Sequence, residues 1–172
     1  MRIIATLVAL TLMALPLRAA EFSFDSIDGG TLSLTDYAGR PVLVANTASL
    51  CGFTDQYADL QAVYDRYRDK GLVVLAVPSD DFRQELGSAA EVKDFCELNY
   101  GLDLPMTDIT HVRGRNAHPF YAWLRADHGI APRWNFYKVL LGPDGLPVES
   151  WGSATKPTAP EVTRRIEALL AE

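Results

Sequence analysis

The chain has 172 residues, 48% of them apolar and 22% charged, with a formal charge of −6. That length suits one domain with a full core, and the composition is that of an ordinary globular protein. An acidic chain without a basic stripe argues against nucleic acid and anionic membrane surfaces as partners.

The first twenty residues read as a secretory signal peptide. Met1-Arg2 is a positive start, Ile3 to Leu15 is an apolar run, and Ala19-Ala20 precedes Glu21. The expected division is a signal peptide over 1–20 and one domain over 21–172. An uncleaved anchor competes, although the run is short for a bilayer span of about 20 residues. Without Arg2 and Arg18 the basic count falls from 16 to 14 against 22 acids, a net −8. The mature protein is expected to be exported, periplasmic or secreted, with no membrane span. Two cysteines in an exported chain ordinarily imply one structural disulfide. Cys51 and Cys96 lie 45 residues apart, which excludes a CxxC pair. With three histidines and no further cysteine, neither a metal nor a cofactor is expected.

In the rest of the chain, Phe22-Ser23-Phe24 and Thr31-Leu32-Ser33-Leu34 alternate like short strands around an Asp28-Gly29-Gly30 turn. Pro41 to Ala45 reads as a buried strand. A helix follows, with Thr54 as its expected N-cap and Tyr57, Leu60, Tyr64 and Tyr67 on one stripe. Lys70-Gly71 ends it. Leu72 to Val77 is a second apolar strand, so the pair forms a βαβ unit with parallel strands. A polar loop from Pro78 to Gly87 leads to the capping box Ser88-Ala89-Ala90-Glu91. That helix is expected to reach about Tyr100, with Val92, Phe95, Cys96 and Asn99 on its inner face. Asn116 is the expected cap of a helix carrying Phe120, Trp123 and Leu124. Trp134-Asn135-Phe136 enters a strand from Tyr137 to Leu141. Pro143-Asp144-Gly145 turns it into Val148 to Trp151. A last helix starts near Pro160, with Val162, Ile166, Leu169 and Leu170 as its core face. The order implies an α/β, thioredoxin-like fold, a central mixed sheet flanked by helices.

Cys51 falls on the strand-to-helix turn, just ahead of a helix N-terminus. Unpaired N–H groups and the dipole favour a thiolate there. A free cysteine has a pKa of about 8.5, and helix N-termini lower it. The competing reading is a buried structural cysteine. In open α/β sheets the reactive site lies beyond the carboxyl ends of the strands. Cys51 and the loop Ser79–Gln84 both follow such ends and are expected to be neighbours.

The stretch Asn46-Thr47-Ala48-Ser49-Leu50-Cys51-Gly52-Phe53-Thr54 resembles the nucleophile motif of the glutathione peroxidase family, with cysteine in place of selenocysteine. Trp134-Asn135-Phe136 resembles its second signature. Asn116-Ala117-His118-Pro119 and Thr155-Lys156-Pro157 are further family-like stretches, and the likeness runs from about Phe22 to Leu170. It implies reduction of a hydroperoxide, with the Cys51 thiolate attacking oxygen and becoming a sulfenic acid. Trp134 and Asn135 would supply N–H donors to the site. The family's loop usually reads Pro-Cys-Asn-Gln-Phe-Gly. Here it is Pro78-Ser79-Asp80-Asp81-Phe82-Arg83, with Asp81 where the glutamine is expected. An ionised carboxylate beside Cys51 would oppose the thiolate. Asp81 is therefore expected to be protonated, or to face solvent, or to be replaced in function by Gln84. Cys96 occupies the place of the resolving cysteine, which would form a disulfide with Cys51 for a thioredoxin-like dithiol or glutathione to open. The short segment between Phe120 and Trp134 resembles the monomeric members.

The leading expectation is thus an exported thiol peroxidase. One alternative is a redox sensor or disulfide-transfer module that passes oxidation to a partner protein. Another is a thioredoxin-like binding protein with one static disulfide.

Overall fold

The computed structural model describes residues 22–171. The expected signal peptide lies outside them.

A small antiparallel hairpin comes first, β1 (Ser23–Asp25) against β2 (Thr31–Ser33). The central sheet has four strands: β3 (Val42–Thr47), β4 (Val73–Pro78), β5 (Lys138–Leu141) and β6 (Pro147–Trp151). Their order is β4-β3-β5-β6, with β3 parallel to β4 and the other two pairs antiparallel. β3, β4 and β5 are buried along their whole length. That explains the apolar runs over 42–45 and 73–77, because both faces of the sheet are covered. Among the described residues, four α-helices complete the fold: α1 (Gln56–Tyr67), α2 (Ala89–Tyr100), α3 (Pro119–His128) and α4 (Pro160–Leu170). One core joins α1, α2 and α4 to one face of the sheet through Leu60, Val63, Val92 and Ile166. The other face packs on α3 and the hairpin through Phe24, Phe120, Trp123 and Leu124. The expected mixed sheet between helices is present.

Three local expectations change. Asp55, not Thr54, precedes α1, and it makes no side-chain cap. His118, not Asn116, caps α3: its Nδ1 accepts from the Phe120 N–H at 3.2 Å, and Pro119 opens the helix. Burial lowers the His118 pKa and favours the neutral ring such a cap requires. On α2, Asn99 is exposed, and its amide donates to the Phe95 carbonyl. The Ser88 capping box forms as expected, with Ser88 Oγ accepting from the Glu91 N–H at 3.3 Å and donating to the Glu91 carboxylate at 2.9 Å.

Candidate active site

β3 and β4 run parallel, so their carboxyl ends release the chain side by side. The Ser79 N–H still donates to the Thr47 carbonyl at 3.0 Å, and beyond that point the two loops grip each other. Leu50 N–H donates to the Gln84 carbonyl at 2.9 Å. Ser49 N–H donates to Glu85 Oε1 at 2.9 Å, which also accepts from the Leu86 N–H. The expected proximity of the Cys51 turn and the 79–84 loop is therefore built from backbone hydrogen bonds.

Cys51 is nearly covered, at 7% exposure. The Phe53 N–H points at its sulfur, at 3.4 Å. Thr54 holds this turn from below. Its hydroxyl accepts from the Cys51 N–H at 3.0 Å and lies on the carbonyls of Ala48 and Ser49 at 3.2 and 3.3 Å. This is why Thr54 does not cap α1: its side chain reaches back to the cysteine rather than forward into the helix. Leu50 and Phe53, which flank Cys51 and Gly52 in the turn, are exposed and give its surroundings an apolar surface.

The Trp134–Tyr137 segment docks on the end of β3 through Asn46. Asn46 Nδ2 donates to the Trp134 carbonyl at 3.2 Å, and Asn46 Oδ1 accepts from the Tyr137 N–H at 3.2 Å. The Phe136 N–H adds a bond to the Asn46 carbonyl at 2.6 Å. In the sequence Asn46 stands only as one residue of the nucleophile motif. Its signal was a polar amide closing an apolar strand. Asn135 is fully buried, and its Nδ2 donates to Gln84 Oε1 at 3.0 Å. Gln84 Nε2 keeps no partner among the described residues. Arg83 and Phe136, next to these two amides, are the non-glycine residues with positive φ among the described residues, both at 58°. Such conformations cost of order 1–3 kcal/mol each and cluster at functional sites. The Trp134 ring is 41% exposed and lies 5.3 Å from that of Phe82, which in turn sits under the Arg113 guanidinium.

Asp81 has a different task. Its carboxylate accepts from the Val112 N–H at 2.7 Å and the Arg113 N–H at 2.9 Å, and it pairs with His111 Nδ1 at 2.8 Å. It staples the 111–113 loop, and Gln84, the third alternative, is the residue whose side chain meets the Asn135 amide. Cys96 lies within α2 at 1% exposure, and burial pushes its thiol up to about 12. Both cysteines are free. Glu85 is also buried, with its carboxyl raised by desolvation and Oε2 left without a partner among the described residues.

A family model described as glutathione peroxidase matches residues 19–125. The hydroperoxy fatty acid reductase gpx1 of Synechocystis is 41% identical over 160 residues, covering 87% of this chain and 94% of that protein. A glutathione peroxidase of Lactococcus lactis is 39% identical over 155 residues, covering 87% and 98%. The chain belongs to the glutathione peroxidase family. It is a peroxidase by that membership. The crystal structure of Trgpx in its apo form matches with a TM-score of 0.72 at 29% identity, over 91% of this chain and 98% of that one. A solution structure of a putative protein disulfide isomerase from Bacteroides thetaiotaomicron matches at 0.66 with 17% identity, and supports the thioredoxin-like fold alone. No helix among the described residues is long and apolar enough to cross a membrane.

Proposed function

We propose that this peroxidase reduces hydrogen peroxide or organic hydroperoxides through Cys51, with Cys96 resolving the oxidised sulfur. The Cys51 thiolate attacks the distal peroxide oxygen. The O–O bond breaks, an alcohol or water leaves with a proton, and Cys51 becomes a sulfenic acid. The observation that carries this reading is the joining of three segments at one turn. The Phe53 N–H lies on the sulfur, Gln84 is tied to Leu50, and the Asn135 amide is tied to Gln84. Among the described residues, no group takes the Gln84 Nε2 and Trp134 indole N–H donors. They are the groups left to meet negative charge on oxygen.

Cys96 then attacks the sulfenic sulfur. An S–S bond forms, the S–O bond breaks, and hydroxide leaves with the Cys96 proton as water. Cys96 is buried inside α2, so in this reading the helix opens around it to bring the two sulfurs to disulfide geometry. Only Val92 and Cys96 of α2 are fully buried, which makes it a helix of few core anchors. A thioredoxin-like dithiol or glutathione returns the disulfide to thiols. The working protein is a monomer, exported and freed of residues 1–20. The test is a panel of peroxides and reductants on the mature protein beside Cys51→Ser. Peroxide-dependent consumption of thioredoxin-coupled NADPH, absent in Cys51→Ser, is expected. Poor turnover with a stable mixed disulfide to one client would instead favour disulfide transfer.

A further inference from the structure

Lys138 is a buried cation that no step above uses. It lies on β5 between Ala45 of β3 and Trp151 of β6, and it is fully buried. Lysine is almost never found there unless its charge is met. Carbonyl oxygens meet it here. Nζ donates to Gln56 Oε1 and to the Gly152 carbonyl, each at 3.0 Å, and also to the Thr155 carbonyl. Three donors thus face three acceptors. Gln56 opens α1 and passes the contact on: its Nε2 donates to the Ser153 carbonyl at 2.6 Å. Ser153 Oγ donates to the Asn135 carbonyl at 2.6 Å. One connected network therefore joins Lys138, the first turn of α1, the 152–155 loop and the Asn135 backbone.

We infer that Lys138, as an ammonium, is a positioning residue for Asn135: it clamps the 152–155 loop to the first turn of α1 and so fixes the backbone from which the Asn135 amide reaches Gln84. This rests on the reading of Asn135 as part of the peroxide site. The charge matters because a neutral amine has two donors and a lone pair. Losing the proton breaks one link and turns a lone pair toward an oxygen. Burial pushes Lys138 down to about 8, while Asp59 on α1 is the charged group whose field opposes that shift. Asp59 is itself paired with Lys156 at 3.6 Å and accepts from Thr158. The register neighbours on β3 and β6 carry no charge. The clamp is therefore closed at neutral pH and loosens as the solution turns alkaline.

The test is the stopped-flow rate of the first peroxide step on the reduced protein, from about pH 6 to 10. Wild type, Lys138→Met, Ser153→Ala, Asn135→Ala and the Lys138→Met/Asn135→Ala double variant are compared. Wild type is expected to slow on the alkaline side near the Lys138 transition. Lys138→Met is expected to be about tenfold slower at pH 7, the scale of a small misplacement, and to lack that alkaline fall. The double variant is expected to be as slow as Asn135→Ala and no slower, because both changes act on one group. A wild-type rate without an alkaline fall, or a Lys138→Met protein that keeps it, would overturn the inference. So would slowing that multiplies in the double variant. If Lys138→Met does not fold, Ser153→Ala decides: it must slow wild type and be silent in the Asn135→Ala background. Wild-type speed in Asn135→Ala would sink the underlying reading of the site. A slow Asn135→Ala beside a fast Lys138→Met would sink the clamp alone.

Discussion

Cys51 and Cys96 are both free, and both lie below one tenth exposure. Their surroundings differ in kind. Cys51 sits on an irregular turn with a backbone N–H on its sulfur and a threonine hydroxyl under its own N–H. Cys96 sits inside a regular helix whose N–H groups are already engaged, and burial holds its thiol near 12. Exposure does not separate them. The local backbone does: a turn with a donor on the sulfur in one case, the interior of a regular helix in the other. In the proposed reading, the first cysteine meets the peroxide and the second reacts only once its helix opens.

The comparison breaks most sharply on the cysteines themselves. Cys51→Ser is expected to reduce peroxide consumption to background, the loss that follows removal of a nucleophile. Cys96→Ser is expected to consume one peroxide per chain quickly and then stall with a thioredoxin-like donor. Undiminished steady turnover would remove Cys96 from the cycle. Next come the amides. Asn135→Ala is expected to slow the first peroxide step by about a hundredfold, the scale for one misaimed donor, because Gln84 loses the amide that holds its side chain, while iodoacetamide alkylation of Cys51 continues.

Asp81→Ala sharpens the comparison by separating stability from chemistry. It leaves the Val112 and Arg113 N–H groups without their acceptor, so chemical denaturation should show a loss of about 1–3 kcal/mol. The peroxide rate should change by less than about twofold, since Gln84 and not Asp81 reaches Asn135. The smallest effect is a titration. A thiol raised in the folded state keeps its proton where the unfolded chain has lost it. Stability is therefore full below the unfolded cysteine value of about 8.5 and falls as pH rises toward the folded value near 12. The slope is at most about 1.4 kcal/mol per pH unit, and Cys96→Ala should lack that component in denaturation measured across the alkaline range.

Much of this was legible in the chain. β3 and β4 announced themselves as apolar runs because both faces of the sheet are covered. Ser88 and Glu91 formed the cap their spacing implied. Cys51 was readable because a strand, a glycine and a helix start converge on it. The failures share a cause: a short polar side chain has several local partners, and sequence does not rank them. Thr54 had the right type and place to cap α1, yet its hydroxyl turned back to Cys51. Asn116 had the right type for α3, but His118 stood directly before Pro119 and took the role. Asp81 aligned with a family glutamine, yet the loop 111–113, some thirty residues away in sequence, claimed its carboxylate. Lys138 left no sign of its burial. A lysine in a strand ordinarily lies outside, and the three oxygens that hold it come from α1 and the 152–155 loop.

The most direct measurement is a sulfenic-acid trap. Fully reduced protein and its Cys96→Ser variant are each given one equivalent of hydrogen peroxide, quenched with dimedone and mapped by peptide mass spectrometry. The expected result is a dimedone adduct on Cys51 in Cys96→Ser and a Cys51–Cys96 disulfide in the wild-type chain, with the peroxide gone in both. Remaining peroxide beside an unmodified, still alkylatable Cys51 would contradict the central claim that this turn makes the sulfur a peroxide nucleophile.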